Sequence, residues 1–324
     1  MLLREAKTDD CGAAAEFLGQ QTHLSLNHQE LQDLSAIATL AQLTELYLGN
    51  NDIADLSPLQ ELVNLQVLAL DNNQIQHLAP LTRLNQLQKL YLSRNQIIDV
   101  TPLGQLTRLS HLEIAHNQVQ AADAFANLHQ LEHLNISENQ LISLDFVSRW
   151  QKLAIFQANQ NQITTLIPLE NLTSLRHLEL IGNQIQEVHP LLGLENLITL
   201  RIENNLIAEP AQLRLEQTVN VRKLQEQYHC VNCNLAGLDL SNLDLIGVSL
   251  INANLSGANL SNTDLVGANL EHANLRNADL RGADLEGVLL INADLTESIQ
   301  DNTNFCNAIF SLSLSGQQHL GDCE

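Results

Sequence analysis

Basic residues are scarce: 15 Lys and Arg stand against 37 Asp and Glu in 324 residues, a formal net charge of −22. A chain so short of positive charge offers no basic cluster for sequence-independent contact with nucleic-acid phosphates or anionic lipid, so neither partner is expected. Aromatic residues make up only 3% of the chain, with a single Trp, which excludes a core centred on rings. No apolar run approaches the roughly 18 residues that a membrane span requires, so no membrane insertion is expected. The opening Met1-Leu2-Leu3-Arg4-Glu5 lacks the basic-then-apolar order of a secretion signal. Its absence points to the cytoplasm, or to an extracytoplasmic site if a signal has been trimmed. P-loop, G-x-G-x-x-G, G-x-S-x-G, S-x-x-K and H-E-x-x-H patterns are also missing. The expectation is a chain without catalytic residues or a cofactor, and not an enzyme. What is abundant is Leu, Asn and Gln, and that bias comes from repetition.

Leu43-x-x-Leu46-x-Leu48-x-x-Asn51-x-Ile53 returns 22 residues later as Leu65, Leu68, Leu70, Asn73 and Ile75, and continues in that register. The asparagine recurs as Asn51, Asn73, Asn95, Asn117, Asn139, Asn161, Asn183 and Asn205. A degenerate copy with Leu24, Leu26, Gln29 and Leu31 precedes them, making nine units. The pattern resembles the leucine-rich repeat, and the physics of each position follows from it. The L-x-L segment is a short strand with leucines turned inward and the intervening residues outward. The asparagine amide can donate to and accept from neighbouring backbone, so the eight copies form a structural ladder. Five of the six prolines (Pro58, Pro80, Pro102, Pro168 and Pro190) share one phase, as suits a fixed-φ start to the convex side. Pro210 falls out of phase, and the repeat ends there.

From Cys233 to Phe310 the period becomes five. Leucine fills every fifth position from Leu235 to Leu295, followed by Gln300, Phe305 and Phe310. Two residues after each of these, thirteen of sixteen units carry Gly or Asn, the residues that best tolerate left-handed turns. Ala253-Asn254-Leu255-Ser256-Gly257-Ala258-Asn259-Leu260 resembles the motif of the pentapeptide-repeat family. That resemblance implies a right-handed quadrilateral β-helix with four units per coil, hence about four coils here. The same phase holds Asp264, Asp279, Asp284 and Asp294, read as turn and coil-edge hydrogen bonding rather than acid–base chemistry.

The expected fold is therefore a tandem solenoid, a leucine-rich repeat arc with an irregular or 3-10 convex side followed by the β-helix. Its parts are an N-terminal cap over 1–20, nine coils over 21–212, a helical junction over 213–232, the β-helix over 233–312 and a tail over 313–324. Residues 221–228 read as a short amphipathic helix, and with Cys230-x-x-Cys233 they resemble the lead-in of short bacterial pentapeptide proteins. Such a helix would cover open solenoid ends, and Cys11 to Gly19 would form a second helical cap. Cys230 and Cys233 lack the further ligands of a zinc site and the βαβ setting of a redox pair. They are assigned as structural junction thiols, reduced or bridged. Cys306 and Cys323 flank the tail and are placed to staple it, leaving Cys11 without an evident partner.

Outward strand positions stack in columns about 4.8 Å apart. Tyr47 and Tyr91 frame Val67 and Ala69, with Lys89 and Arg94 alongside and His111, Glu113 and His133 following. Tyrosine and arginine are favoured in binding hot spots, and these nine residues are the candidate protein-binding surface. Stacked His111 and His133 beside Glu113 and His116 have metal-ligating chemistry. A flat strand face seldom converges ligands, however, and twelve histidines make chance adjacency common, so no metal site is assigned. The 22-residue unit is similar to that of bacterial internalins and of a eukaryotic phosphatase-regulating subunit. Both resemblances imply a non-enzymatic scaffold binding a protein through its concave face. The alternative is an acidic pentapeptide protein that imitates DNA and acts on DNA gyrase. Residues 233–310 carry ten acids against Arg276 and Arg281, but four coils rise only about 19 Å, under six base pairs. Outward Ile246, Ile251, Val266 and Ile291 leave a weak homodimer through the β-helix exterior open.

Overall fold

The computed structural model describes residues 17–312, 318–320 and 323. The chain divides into two compact units, Met1–Ala208 and Glu209–Glu324. Of the expected N-terminal cap, residues 17–19 are helical, whereas Cys11 and most of that stretch lie outside the described residues.

The first unit is a nine-stranded parallel sheet in sequence order. Its strands are β1 His23–Ser25, β2 Glu45–Tyr47, β3 Val67–Ala69, β4 Lys89–Tyr91, β5 His111–Glu113, β6 His133–Asn135, β7 Ile155–Gln157, β8 His177–Glu179 and β9 Thr199–Arg201. Each strand has three residues because the period of 22 allows only the L-x-L stretch to pair before the chain turns. Register is fixed at Leu24↔Leu46↔Leu68↔Leu90↔Leu112, so every middle residue of those strands faces inward. Short 3-10 segments return the chain, and five of them carry the in-phase proline near the start. There the missing N–H has no partner to lose. Asp33, Asp55 and Asp99 accept the backbone N–H of Ser35, Ser57 and Thr101, each at 2.8 Å. Bonds from the hydroxyls of the same three residues first, and these N–H bonds second, hold all three carboxyls below their ordinary pKa.

The core consists of stacked leucines, with Trp150, Phe125 and Phe156 its largest fully buried side chains. Trp150 and Phe146 pack edge to face at 5.6 Å. The asparagine ladder joins consecutive coils. Asn117 donates to the carbonyls of Leu92 and Ile114 at 3.0 and 3.1 Å and accepts the Ile97 N–H at 2.9 Å. The residue before each of these asparagines from Asn50 to Gln160 is left-handed, Arg94 and His116 included, and Gly182 takes that place before Asn183.

The second unit opens with a helix, α1, over Glu209–Gln227. It is longer than the predicted 221–228 and begins at Glu209, so that the proline that ends the repeat falls in its first turn. Proline suits a first helical turn, where an N–H would go unpaired. Among the described side chains of α1 only Leu215, Val219 and Leu224 are buried, so the apolar period was too sparse to mark its start. The helix lies over the first β-helix coil, where Gln217 and Asn220 donate to the carbonyls of Ala236 and Asn234 at 2.8 and 3.2 Å. Leu224 joins the buried cluster with Cys230, Leu235 and Leu240. Cys230 and Cys233 are not free thiols but a disulfide.

Bridges then recur every 20 residues, from His229↔Ser249 to Leu289↔Ile309, which is four pentapeptides per coil. Leucines and alanines fill the interior. Thr263 replaces an alanine there, and its hydroxyl donates to the Leu240 carbonyl at 2.9 Å. The Asp and Asn of the repeat accept the N–H two residues on, as in Asp264 to Val266 and Asp279 to Arg281, both at 3.1 Å. His272 and Glu297, two of the three units without Gly or Asn, adopt the same positive φ of 60° as their neighbours. The coil geometry overrides residue preference at both.

With a 20-residue coil, Ile246 and Val266 share one side whereas Ile251 and Ile291 share the next. Only Ile246 is exposed, and the other three are half-buried. The four outward apolar residues are thus divided between two sides of the β-helix. Beyond the last coil, β10 Ile309–Leu312 pairs antiparallel with β11 Gln318–Leu320, and Cys306 is bonded to Cys323.

Candidate functional site

The outward positions of β1 to β6 carry rings and carboxylates on both sides of apolar β3, spaced by the strand register. At one end the Tyr47 hydroxyl donates to Glu45 Oε2 at 3.0 Å, and His23 Nδ1 lies 3.1 Å from the same oxygen. Bonds from Tyr47 and then His23 lower the Glu45 pKa. Burial first, and Glu45 second, raise that of Tyr47. Tyr47, Ala69 and Tyr91 are in register on adjacent strands. Ala69 is only 8% exposed although its side chain points outward, so the small residue is the floor of a notch between two rings. Val67 is half-buried beside it and Lys89 is exposed. Arg94 lies apart, on the left-handed turn beyond β4 with φ 59°, bordering the strand columns rather than standing in one.

From Tyr91 the rings continue laterally. Tyr91 and His111 are 5.0 Å apart, and His111 and His133 are 4.1 Å apart. Both imidazoles approach one carboxylate oxygen. His111 Nε2 is 3.3 Å and His133 Nε2 3.1 Å from Glu113 Oε1, while Asn135 donates to Glu113 Oε2 at 3.1 Å. Burial alone would raise the Glu113 pKa, but the two histidines and Asn135 outweigh it and draw the pKa down to about 2. Neither Nε2 makes an aligned hydrogen bond, and both are buried. Proximity without alignment is what two donors crowded onto one oxygen produce. His116, grouped with these residues by sequence, does not join them. Its Nδ1 pairs with Glu138 Oε2 at 2.7 Å on the turn. Although a flat strand face seldom converges ligands, His111, Glu113 and His133 bring one ligand atom each within 4.8 Å of one another.

Sequence reading missed a second polar column bordering this face. Asn27, Asp71, Ser93, Ser137 and Asn159 each accept, through a side-chain oxygen, the backbone N–H of the residue 22 further on. Its signal was present as a phase of small polar residues directly after the second leucine of L-x-L. Burial raises the Asp71 pKa, only partly offset by the bond from the Ser93 N–H. The native state therefore holds that proton more tightly than the unfolded chain. Stability attached to it is full at low pH and falls as pH rises above the unfolded value. Asp71→Asn keeps the acceptor for Ser93 and removes the buried charge. The variant is expected to be more stable than the parent at neutral pH, with the difference closing below about pH 3, in urea unfolding followed across pH.

The described depressions of the first unit lie among turns. One of about 470 Å³, for example, is lined by Val63, Asn64, Thr82, Arg83, Asn85 and Gln86. No helix among the described residues is long and apolar enough to cross a membrane.

Comparison with known proteins agrees with both units. The family described as leucine-rich repeats (2 copies) matches residues 41–83 and 85–127. That described as pentapeptide repeats (8 copies) matches 229–265 and 253–290. The chain thus carries leucine-rich repeats followed by pentapeptide repeats. No curated protein matches it. Among solved structures it is similar to internalin C2 of Listeria monocytogenes, with 29% identity, a TM-score of 0.59 and coverage of 62% of this chain and 90% of that one. A second internalin of that organism, inlF, shares 23% identity at a TM-score of 0.56, covering 81% and 87%. A leucine-rich repeat protein of Leptospira interrogans shares 19% at 0.58, covering 89% and 94%. The last two likenesses concern the fold alone.

Proposed function

We propose that the chain is a non-enzymatic scaffold that binds a protein through the strand face of its second to fifth leucine-rich coils. One observation carries the reading: Tyr47 and Tyr91 stand in register on either side of small, buried Ala69. Two half-buried rings around a notch match the amphipathic anchors of binding hot spots and lose little side-chain entropy on contact. A small or apolar side chain of the partner fills the notch over Ala69, with Val67 extending the apolar floor. Exposed Lys89 and Arg94 meet acidic groups of the partner, mainly raising the association rate. His111, Glu113 and His133 border the footprint. Repeat folds of both kinds serve interaction rather than chemistry, which agrees with a face of strands. The acidic β-helix is not proposed as a DNA mimic acting on gyrase, because its four coils are too short for a duplex footprint.

Affinity capture with the intact chain supplies the partner, and paired measurements on two variants test the surface. Tyr47→Ala and Tyr91→Ala are each expected to cost on the order of 1–3 kcal/mol of affinity. Both side chains point away from the leucine core, so the thermal midpoint should move far less. Unchanged affinity in both variants, or a loss of stability matching the loss of affinity, places the binding surface elsewhere.

A further inference from the structure

We propose that His111, Glu113 and His133 form a three-ligand site for a divalent transition-metal ion of the zinc type, in the middle of the strand face. The proposal stands apart from the protein-binding reading, since it concerns the isolated chain.

The distances come first. Zinc binds imidazole nitrogen at 2.0–2.1 Å and carboxylate oxygen at 2.0–2.2 Å, so two donors at a tetrahedral angle lie about 3.3 Å apart. The two nitrogen–oxygen separations here are 3.3 and 3.1 Å. The two nitrogens lie within 4.8 Å of one another, so an ion would draw the two rings together through side-chain rotation, with the backbone register of β5 and β6 kept. The second argument is the state of the nitrogens. Both Nε2 atoms are buried and lack an aligned hydrogen bond, although buried polar atoms are ordinarily paired. If an Nε2 is bare, its lone pair faces a carboxylate. If both carry hydrogens, the two compete off-axis for one oxygen. A cation between them turns all three lone pairs into bonds.

The surroundings hold the ligands in place. Asn135 donates to the remaining oxygen of Glu113 at 3.1 Å and so turns Oε1 towards the histidines. The imidazoles stack on each other at 4.1 Å, with Tyr91 against the outer face of His111 at 5.0 Å. Such outer-shell partners set ligand orientation in metal sites. The ligand side chains retain 20–22% exposure, so ions can enter and a water can complete the coordination. Two nitrogens and one oxygen suit zinc and its transition-metal neighbours. Calcium and magnesium call for more oxygen donors.

The test is calorimetric titration of zinc chloride into the untagged full chain with both disulfides intact, which keeps four of the five cysteines from competing, and with Cys11→Ser as a control for the fifth. One ion per chain is expected, at micromolar affinity or tighter, unaffected by excess calcium. His111→Gln and His133→Gln should each weaken binding roughly 100-fold or more, and Asn135→Ala roughly 10-fold. Zinc should raise the unfolding midpoint reported by Trp150 fluorescence in the parent and in neither histidine variant. Far-ultraviolet circular dichroism checks that each variant is folded, and either histidine variant alone decides the question. Absence of a stoichiometric ion at submillimolar zinc in the parent, or affinity unchanged in a folded histidine variant, overturns the proposal.

Discussion

Replacing Asn117 by alanine is expected to destabilise the leucine-rich unit by about 3 kcal/mol, the sum of an orphaned buried N–H and lost hydrogen bonds. The carbonyls it serves are not left bare. Leu92 O also receives a bond from Asn95, and Ile114 O one from Asn139. The Ile97 N–H is in a different position. Asn117 Oδ1 lies 2.9 Å from it, and Ile97 is fully buried, so no water can replace the lost acceptor. Asn117→Asp separates hydrogen bonding from volume. It is nearly isosteric and keeps the acceptor, yet it turns a donor into a charged oxygen facing three carbonyls, those of Leu92, Ile114 and Ala115. It should be at least as damaging as alanine at neutral pH and partly recover in acid, where the carboxyl regains a proton. Asn205→Ala should cost only about 1 kcal/mol, because that end of the ladder is partly exposed and solvent can substitute. Urea unfolding read through Trp150 measures all three, since the chain's only tryptophan is buried in this unit. Equal costs at Asn117 and Asn205 would show that ladder position, and hence burial of the orphan, does not matter.

The ladder was readable in advance because it is a property of the period. Any residue recurring every 22 positions must stack, and an asparagine that stacks must bond to backbone. The inward leucines, the proline-led 3-10 turns and the 20-residue coil of the β-helix follow from spacing in the same way. Side-chain lean does not. Columns place His111, Glu113 and His133 side by side, but nothing periodic says that both imidazoles bend to one oxygen. That depends on Asn135 holding the far oxygen of Glu113 and on Tyr91 packing against His111, a single non-repeating arrangement. His116 shows the converse. It is near in sequence, yet its left-handed turn directs it to Glu138. The start of α1 was hidden for a third reason. Most of that helix is polar, and Pro210 reads equally as the end of a repeat and as the first turn of a helix.

At the other end of the chain, removing the Cys306–Cys323 bridge is expected to cost the second unit about 3 kcal/mol in the chain-entropy treatment of a loop this long. The two cysteines are 17 residues apart, whereas Cys230 and Cys233 are separated by 3, and removing that bridge should cost nearer 2 kcal/mol. Location sharpens the difference. A solenoid is stabilised coil by coil through its neighbours, so its last coil has contacts on one side only. The interior thins there: Leu295 and Phe305 are half-buried, whereas Leu255 through Leu285 are sealed. Pairing of β10 with β11 brings chain back to this end, and the bridge keeps it there. Loss of the bridge should therefore appear first as local fraying and not as global unfolding. Limited proteolysis of Cys306→Ser/Cys323→Ser is expected to cut near residues 300–312 well before the parent is cut. Reductant should have the same effect on the parent, while the Trp150 transition of the first unit stays in place. Protease resistance equal to that of the oxidised parent would mean that strand pairing alone holds the tail.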